Sequence, residues 1–180
     1  MDIRTAILDS AEARMREGGF HACSFRDIAS DVGIKSASVH YYFKTKGELG
    51  SALVKRYEKK VLLAFGDPAD ARTLKRKLET MRAVFRSGLT RGAGACLCGI
   101  LAAQDASLPD AVRAAVRHFF NACNGWLRKA IGSSGMKNPD KFALQATALL
   151  QGALIQAVAL KRTESFDKAT EWLTTQLATL

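Results

Sequence analysis

Ser24–Leu49, SFRDIASDVGIKSASVHYYFKTKGEL, decides the fold of this 180-residue chain. Its spacing predicts two short helices joined by a tight glycine turn, followed by a third, longer helix. Phe25, Ile28, Ala29 and Val32 fall at i, i+3, i+4 and i+7, one apolar stripe of an α-helix. Ser24 stands one place ahead of the stripe as an N-cap, and Asp27 brings negative charge to the helix N-terminus. Gly33 supplies a backbone conformation with positive φ, and Ile34 plugs the corner. From Ser36 the pattern resumes, with Val39 and Phe43 on one side and Ser36, Ala37, His40 and Tyr41 on the other. That second face is small, polar and aromatic, as a helix entering a DNA major groove requires. A helical hairpin with a merely solvated outer face has the same pattern, so these residues alone leave both readings open.

Outward from this stretch, Ile3, Ile7, Ala11 and Met15 predict a first helix through Glu17, stopped by Gly18-Gly19. Thr45-Lys46-Gly47-Glu48 reads as a capping box, opening a helix with Leu49, Leu53, Tyr57, Val61 and Phe65 inward and ending at Gly66. Helices are then expected from Asp70 to about Gly88, from Ala95 to about Ala106, and from Pro109 to about Ile131. Arg91-Gly92-Ala93-Gly94 and Gly132-Ser133-Ser134-Gly135 read as loops, and Asn138-Pro139-Asp140 as a helix start. Ser165 is expected to cap a last helix carrying Phe166, Ala169, Trp172, Leu173 and Leu177. The class is therefore all-α, with about nine helices.

The net charge of +10 invites a nucleic-acid reading, but residues 1–60 carry only +3 of it. Individual cations near the motif, Arg26, Lys35, Lys44 and Lys46, argue better, because phosphates are gripped one at a time. Between Arg72 and Arg91, seven basic residues meet a single acid, Glu79. This run reads as a solvated face, with attraction for DNA backbone or an anionic effector as the alternative. Phe142–Leu160 is nineteen residues without a charge. Gln145, Gln151 and Gln156 argue against a membrane span, and burial between core and a partner subunit fits better.

No basic-then-apolar leader opens the sequence, so a cytoplasmic protein with reduced thiols is expected. The four cysteines show no framework spacing, and the three histidines no metal-ligand spacing. H-E-x-x-H, G-x-S-x-G, paired C-x-x-C and a phosphate-binding glycine loop are all absent, so neither an enzyme nor a metal or other cofactor is expected.

Gly33–Leu49, GIKSASVHYYFKTKGEL, with the upstream Gly18–Ala29, GGFHACSFRDIA, resembles the tetracycline-repressor (TetR) family of bacterial transcription regulators. The likeness runs from about residue 3 to residue 57. Lys35 stands where that family most often has Ser or Thr, and His40 where it most often has Tyr; both departures bear on base preference. The resemblance implies a DNA-binding head over residues 1–47 and a ligand-binding, dimerising body over 48–180. It implies that Ser36, Ala37, Ser38, His40 and Tyr41 face bases and nearby phosphates, while Ser24, Arg26 and Lys46 clamp the backbone and Lys35 adds charge. It further implies a homodimer joined through its last two long helices, repressing from a double-stranded palindromic operator and released by an unidentified small-molecule effector.

The segment Gly94–Gln104, GACLCGILAAQ, looks like the body of one subgroup. Met81, Phe85, Leu97, Phe119, Cys123 and Trp126 are candidates to line a pocket, with plain core as the alternative. Cys96 and Cys98, two apart on an expected helix, should point to opposite sides, one inward and one outward. Cys96, in the first turn and with Arg91 close in sequence, is a candidate redox sensor. A thiol-based sensor and an architectural DNA-binding protein without effector are the other open readings.

Overall fold

The computed structural model describes residues 2–90, 94–132, 134 and 136–175. Among these the regular structure is all helix, with no strand: α1 Ile3–Gly18, α2 Phe25–Val32, α3 Ser36–Tyr42, α4 Lys46–Phe65, α5 Leu74–Thr90, α6 Leu97–Ala102, α7 Asp110–Ile131, α8 Pro139–Leu160, α9 Thr163–Thr170 and α10 Trp172–Thr175. Short 3₁₀ turns lie at Phe20–Ala22 and Asp105–Ser107. Glu171, between α9 and α10, keeps helical dihedrals (φ −56°, ψ −38°), so with these two counted as one interrupted helix the described residues hold the expected nine.

The helices form two compact units. The first takes the chain up to Glu58 together with Leu97–Phe119; the second takes Lys59–Cys96 and the chain from Phe120. The split therefore does not fall at residue 47, where the reading motif ends. Segment 97–119 joins the head because specific packing holds it there. Gln104 Oε1 accepts the Phe20 N–H at 2.8 Å, and its amide lies where a Cβ on Gly19 would stand. Gly50 gives space for Phe20 and Val112, each 3.0 Å from where its Cβ would be. Ile7, Met15, Ile28, Phe43, Leu49, Leu53, Leu97 and Val112 are buried in this unit.

In the second unit Phe65 lies 5.0 Å from Trp126 and 6.2 Å from Phe85, centroid to centroid. The Trp126 Nε1–H donates to the Gly66 carbonyl at 2.7 Å, satisfying the indole where α4 ends. Lys77 is buried, yet its ammonium donates to the Pro68 and Asp70 carbonyls at 2.7 and 2.9 Å and so ties down the loop after α4.

Three boundaries differ from expectation. The start of α5 is Leu74, because Asp70 caps its own turn by accepting the Arg72 N–H and Thr73 Oγ1 accepts the Arg76 N–H. Its successor α6 is six residues long, and the chain then turns through the 3₁₀ segment to Leu108. The last helix starts at Thr163 and not after Ser165. Lys161 adopts the left-handed conformation (φ 52°), the Arg162 N–H bonds back to Ala157, and the chain re-enters a helix at once.

Candidate functional site

The sequence builds the reading head locally. Ser24 Oγ accepts the Asp27 N–H at 3.2 Å, and its hydroxyl donates to the Asp27 carboxylate, which holds that carboxyl below its usual range. The end of α2 is Gly33 at φ 74°, and the Ile34 N–H returns to the Ala29 carbonyl at 3.0 Å. This turn ends α2 and leads into α3. Val39 and Phe43 are buried beneath α3, while Ala37, His40 and Tyr41 are exposed, Tyr41 at 83 %. The His40 ring meets Phe25 edge-on at 4.6 Å, and Tyr41 meets Tyr42 edge-on at 5.3 Å, so the face is ordered as well as open.

Every head residue named from the sequence lies in this unit. Ser24, Arg26 and Lys35 are exposed; Ser36 and Ser38 are half-buried. Lys35 occupies the N-cap of α3 without a side-chain capping bond, as a lysine must, since it has no acceptor. Lys46 is more tethered than expected: its ammonium lies 4.6 Å from the Phe20 ring centre and 3.5 Å from the His21 carbonyl. Burial lowers its pKa. At the start of α4, Thr45 Oγ1 accepts the Glu48 N–H at 3.1 Å, and the Glu48 carboxylate accepts from Lys44 N–H at 3.0 Å. The capping box thus closes one residue earlier than the usual pattern.

Ion pairs brace the head. Arg14 grips Asp31 with two bonds at 2.6 and 2.7 Å, and the Ser10 hydroxyl adds a third at 2.6 Å. Together they depress Asp31 to about 2. Arg56 bridges Asp9 at 2.8 Å and Glu12 at 3.1 Å, joining α4 to α1. Sequence reasoning missed these acids; Asp31 lies 17 residues from Arg14, and only the fold brings them together.

The pocket candidates are all buried, but they do not fall in one unit. Leu97 and Phe119 belong to the first; Met81, Phe85, Cys123 and Trp126 belong to the second. The cysteine expectation is corrected as well. Cys96 and Cys98 are both buried, and Cys96 precedes α6 instead of occupying its first turn, because the helix begins only at Leu97. Arg91 lies outside the described residues. In the first unit, burial pushes the Cys23 thiol up to about 11, the opposite of activation.

The basic run of α5 is largely neutralised within its own unit. Arg82 and Arg86 converge on Asp167 of α9 at 2.9 and 2.8 Å, Arg72 meets Asp70 at 2.6 Å, and Arg76 meets Glu79 at 3.0 Å. Among the described residues no cluster of His, Cys, Asp and Glu could hold a metal ion.

On α8, Ala143, Ala146, Leu150, Leu154 and Ala157 are buried, while Leu144 is 61 % and Ile155 53 % exposed. Leu144, Ala148, Gly152, Ile155 and Ala159 follow one another at helical spacing on the open side. Among the described residues α8 alone is long and apolar enough to cross a membrane, by length and composition. One weakly apolar helix with a buried side is not a clear span.

A short exposed helix set on two packed ones by a glycine turn defines a helix-turn-helix DNA-binding protein. Residues 7–53 match the family described as bacterial regulatory proteins, tetR family. Solved structures agree along the chain. A TetR-family transcriptional regulator from Agrobacterium tumefaciens superposes with TM-score 0.89 at 23 % identity, covering 97 % of this chain and 96 % of that one. A TetR transcriptional regulator from Legionella pneumophila gives 0.87 at 26 %, with coverage of 98 % and 97 %. One from Chloroflexus aurantiacus gives 0.85 at 20 %, with coverage of 98 % and 94 %. No curated protein matches the chain. Residues 7–53 thus match the tetR-family DNA-binding domain, and the chain has the fold of TetR-family transcriptional regulators along its length.

Proposed function

We propose that this regulator is a cytoplasmic, ligand-responsive repressor that binds a palindromic operator as a homodimer. The observation that carries the DNA reading is the two-sided α3, with Val39 and Phe43 buried and Tyr41 almost fully exposed. An aromatic ring with a hydroxyl, preceded by the small Ser36 and Ala37, fits a base edge and a phosphate at once. In this reading Ser36, Ala37, Ser38, His40 and Tyr41 meet bases and adjacent phosphates. Ser24, Arg26, Lys35 and Lys46 hold the backbone.

Assembly follows from α8. Its open side carries no charge from Phe142 to Leu160, and Gly152 leaves room at its Cβ position for close approach. A second copy of the same face, related by a two-fold axis, would cover it. Helices α4 and α7 each contribute residues to both units, so each is a continuous backbone route from an effector in the body to the head.

Selection of bound duplexes from a random pool tests the whole reading. Recovered sites should contain inverted half-sites centred one helical turn apart, about 34–36 Å. Asymmetric or unrelated sequences would refute it, as would a monomer in sedimentation at micromolar concentration.

A further inference from the structure

A groove of about 590 Å³ lies within the first unit, where α1, α4 and the start of α7 meet. Arg4, Gly47, Ser51, Lys55 and Pro109 are among the residues that line it, and none of α3 does. Gly47, Ser51 and Lys55 succeed one another in steps of four, so one face of α4 forms a wall. A Cβ on Gly47 would stand 3.2 Å from the Pro109 Cβ, so the bare glycine lets the chain before α7 come against α4 there.

Two cations line this groove, and the fold gives neither of them an anion. Other arginines of the unit are matched: Arg14 to Asp31, Arg56 to Asp9 and Glu12, Arg113 to Asp110. Among the described residues Arg4 and Lys55 have no ion pair and no side-chain hydrogen bond. Arg4 is held instead over the Phe43 ring, its guanidinium carbon 5.1 Å from the centroid, which leaves its N–H fork unused. The carboxylate of the lining, Glu48, is engaged with the Lys44 N–H at 3.0 Å. Hydroxyls add donors. Thr45 Oγ1, also in the lining, accepts the Glu48 N–H and keeps its own proton to donate. The half-buried Ser51 hydroxyl makes no hydrogen bond among the described residues. Unmatched cations and hydroxyl donors in one groove suit an anion rich in acceptor oxygens, whereas a neutral ligand would leave both charges unanswered.

We propose that this groove holds a phosphate group, with the Arg4 fork and the Lys55 ammonium on its oxygens and Ser51 and Thr45 as hydroxyl donors. A free phosphate-bearing molecule and a duplex backbone both present that group. The site lies in the head, apart from the reading face of α3 and from any effector in the body.

Backbone amide signals of Gly47 and Ser51 in the full-length ¹⁵N-labelled protein are followed by NMR during titration with inorganic phosphate, chloride holding the ionic strength constant. Phosphate should shift both signals saturably. Arg4→Gln and Lys55→Gln should each weaken it about ten-fold, the loss of one charge-assisted contact, and Arg4→Lys should lose less than Arg4→Gln. The salt dependence of binding to a random-sequence duplex is measured for the same proteins. Phosphate binding weakened in both Gln variants, with salt slopes unchanged, assigns the groove to a free phosphate. Salt slopes reduced by about one in each Gln variant assign it to the DNA backbone. Phosphate shifts that survive both substitutions, or no saturable shifts together with unchanged slopes, overturn the proposal. If the parent protein binds no duplex, the regulator reading fails and the phosphate titration alone decides this site.

Discussion

Two helices present solvent with side chains that a folded chain would be expected to cover, and they do so in opposite settings. In the head, α3 shows Tyr41 among small and polar neighbours, with exposed Arg26, Lys35 and Lys44 in the same motif. In the body, α8 shows Leu144, Ala148, Gly152, Ile155 and Ala159 without a charge along nineteen residues. Exposure alone does not distinguish the two faces. The surrounding charge does: cations beside an aromatic suit a polyanion, whereas an uncharged, small-and-large stripe suits a like surface. The fold anchors both helices from the opposite side, through Phe43 beneath α3 and through Leu150 and Leu154 beneath α8.

The largest expected effect comes from removing an anchor. Phe43→Ala should cost about 3–5 kcal/mol in denaturant unfolding, the usual range for a buried phenylalanine. DNA binding should fall with it, because α3 loses its seat. A near-neutral result would mean that the buried side of α3 is misassigned.

Ile155→Glu attacks the other face. It should weaken self-association about a hundred-fold, about 2.7 kcal/mol, in sedimentation equilibrium, since a carboxylate must then be desolvated in the contact. Circular dichroism should stay unchanged. An undiminished dimer would place the interface elsewhere and dissolve the contrast between the two faces.

Lys46→Ala should weaken specific and non-specific DNA binding alike and reduce the salt slope by about one, as loss of one phosphate contact does. Because Lys46 also lies over Phe20, Lys46→Gln separates charge from packing. A change confined to the specific site would make Lys46 a base reader.

The smallest effect concerns the brace at Asp31. Its carboxyl is depressed to about 2 by Arg14 and Ser10, against about 3.9 in an unfolded chain. A depressed carboxyl contributes stability above its unfolded value and loses it as pH falls from about 4 towards 2. Asp31→Asn should therefore remove part of the acid destabilisation of the head, with little effect at pH 7 because the pair is partly exposed. An acid-unfolding curve identical to that of the parent protein would show the pair to be inert.

The head was legible because its determinants are local. The Ser24 cap, the Gly33 turn and the Val39/Phe43 stripe act within a few residues, and each formed as its spacing implied. The body resisted where long-range partners decide. Asp167 neutralises Arg82 and Arg86 from more than 80 residues away, which no charge run could reveal. Segment 97–119 joins the head through Gln104, a polar residue without a periodic signal. Cys96 and Cys98 were expected on opposite sides of a helix that in fact starts after Cys96, so the helical angle between them does not apply. Thr147 and Gln151, buried without side-chain hydrogen-bond partners, sit inside an apolar stretch and emerge only once burial is known.

The central claim is that the exposed face of α3 reads DNA, and Tyr41 on that face is 83 % exposed. Affinity for the selected operator and for a scrambled duplex, measured by fluorescence anisotropy for the parent and for Tyr41→Ala, tests it directly. The variant should keep its helicity and Tm, lose about ten- to a hundred-fold on the operator and change little on the scrambled duplex. Equal operator affinity for both proteins would contradict the assignment of this face.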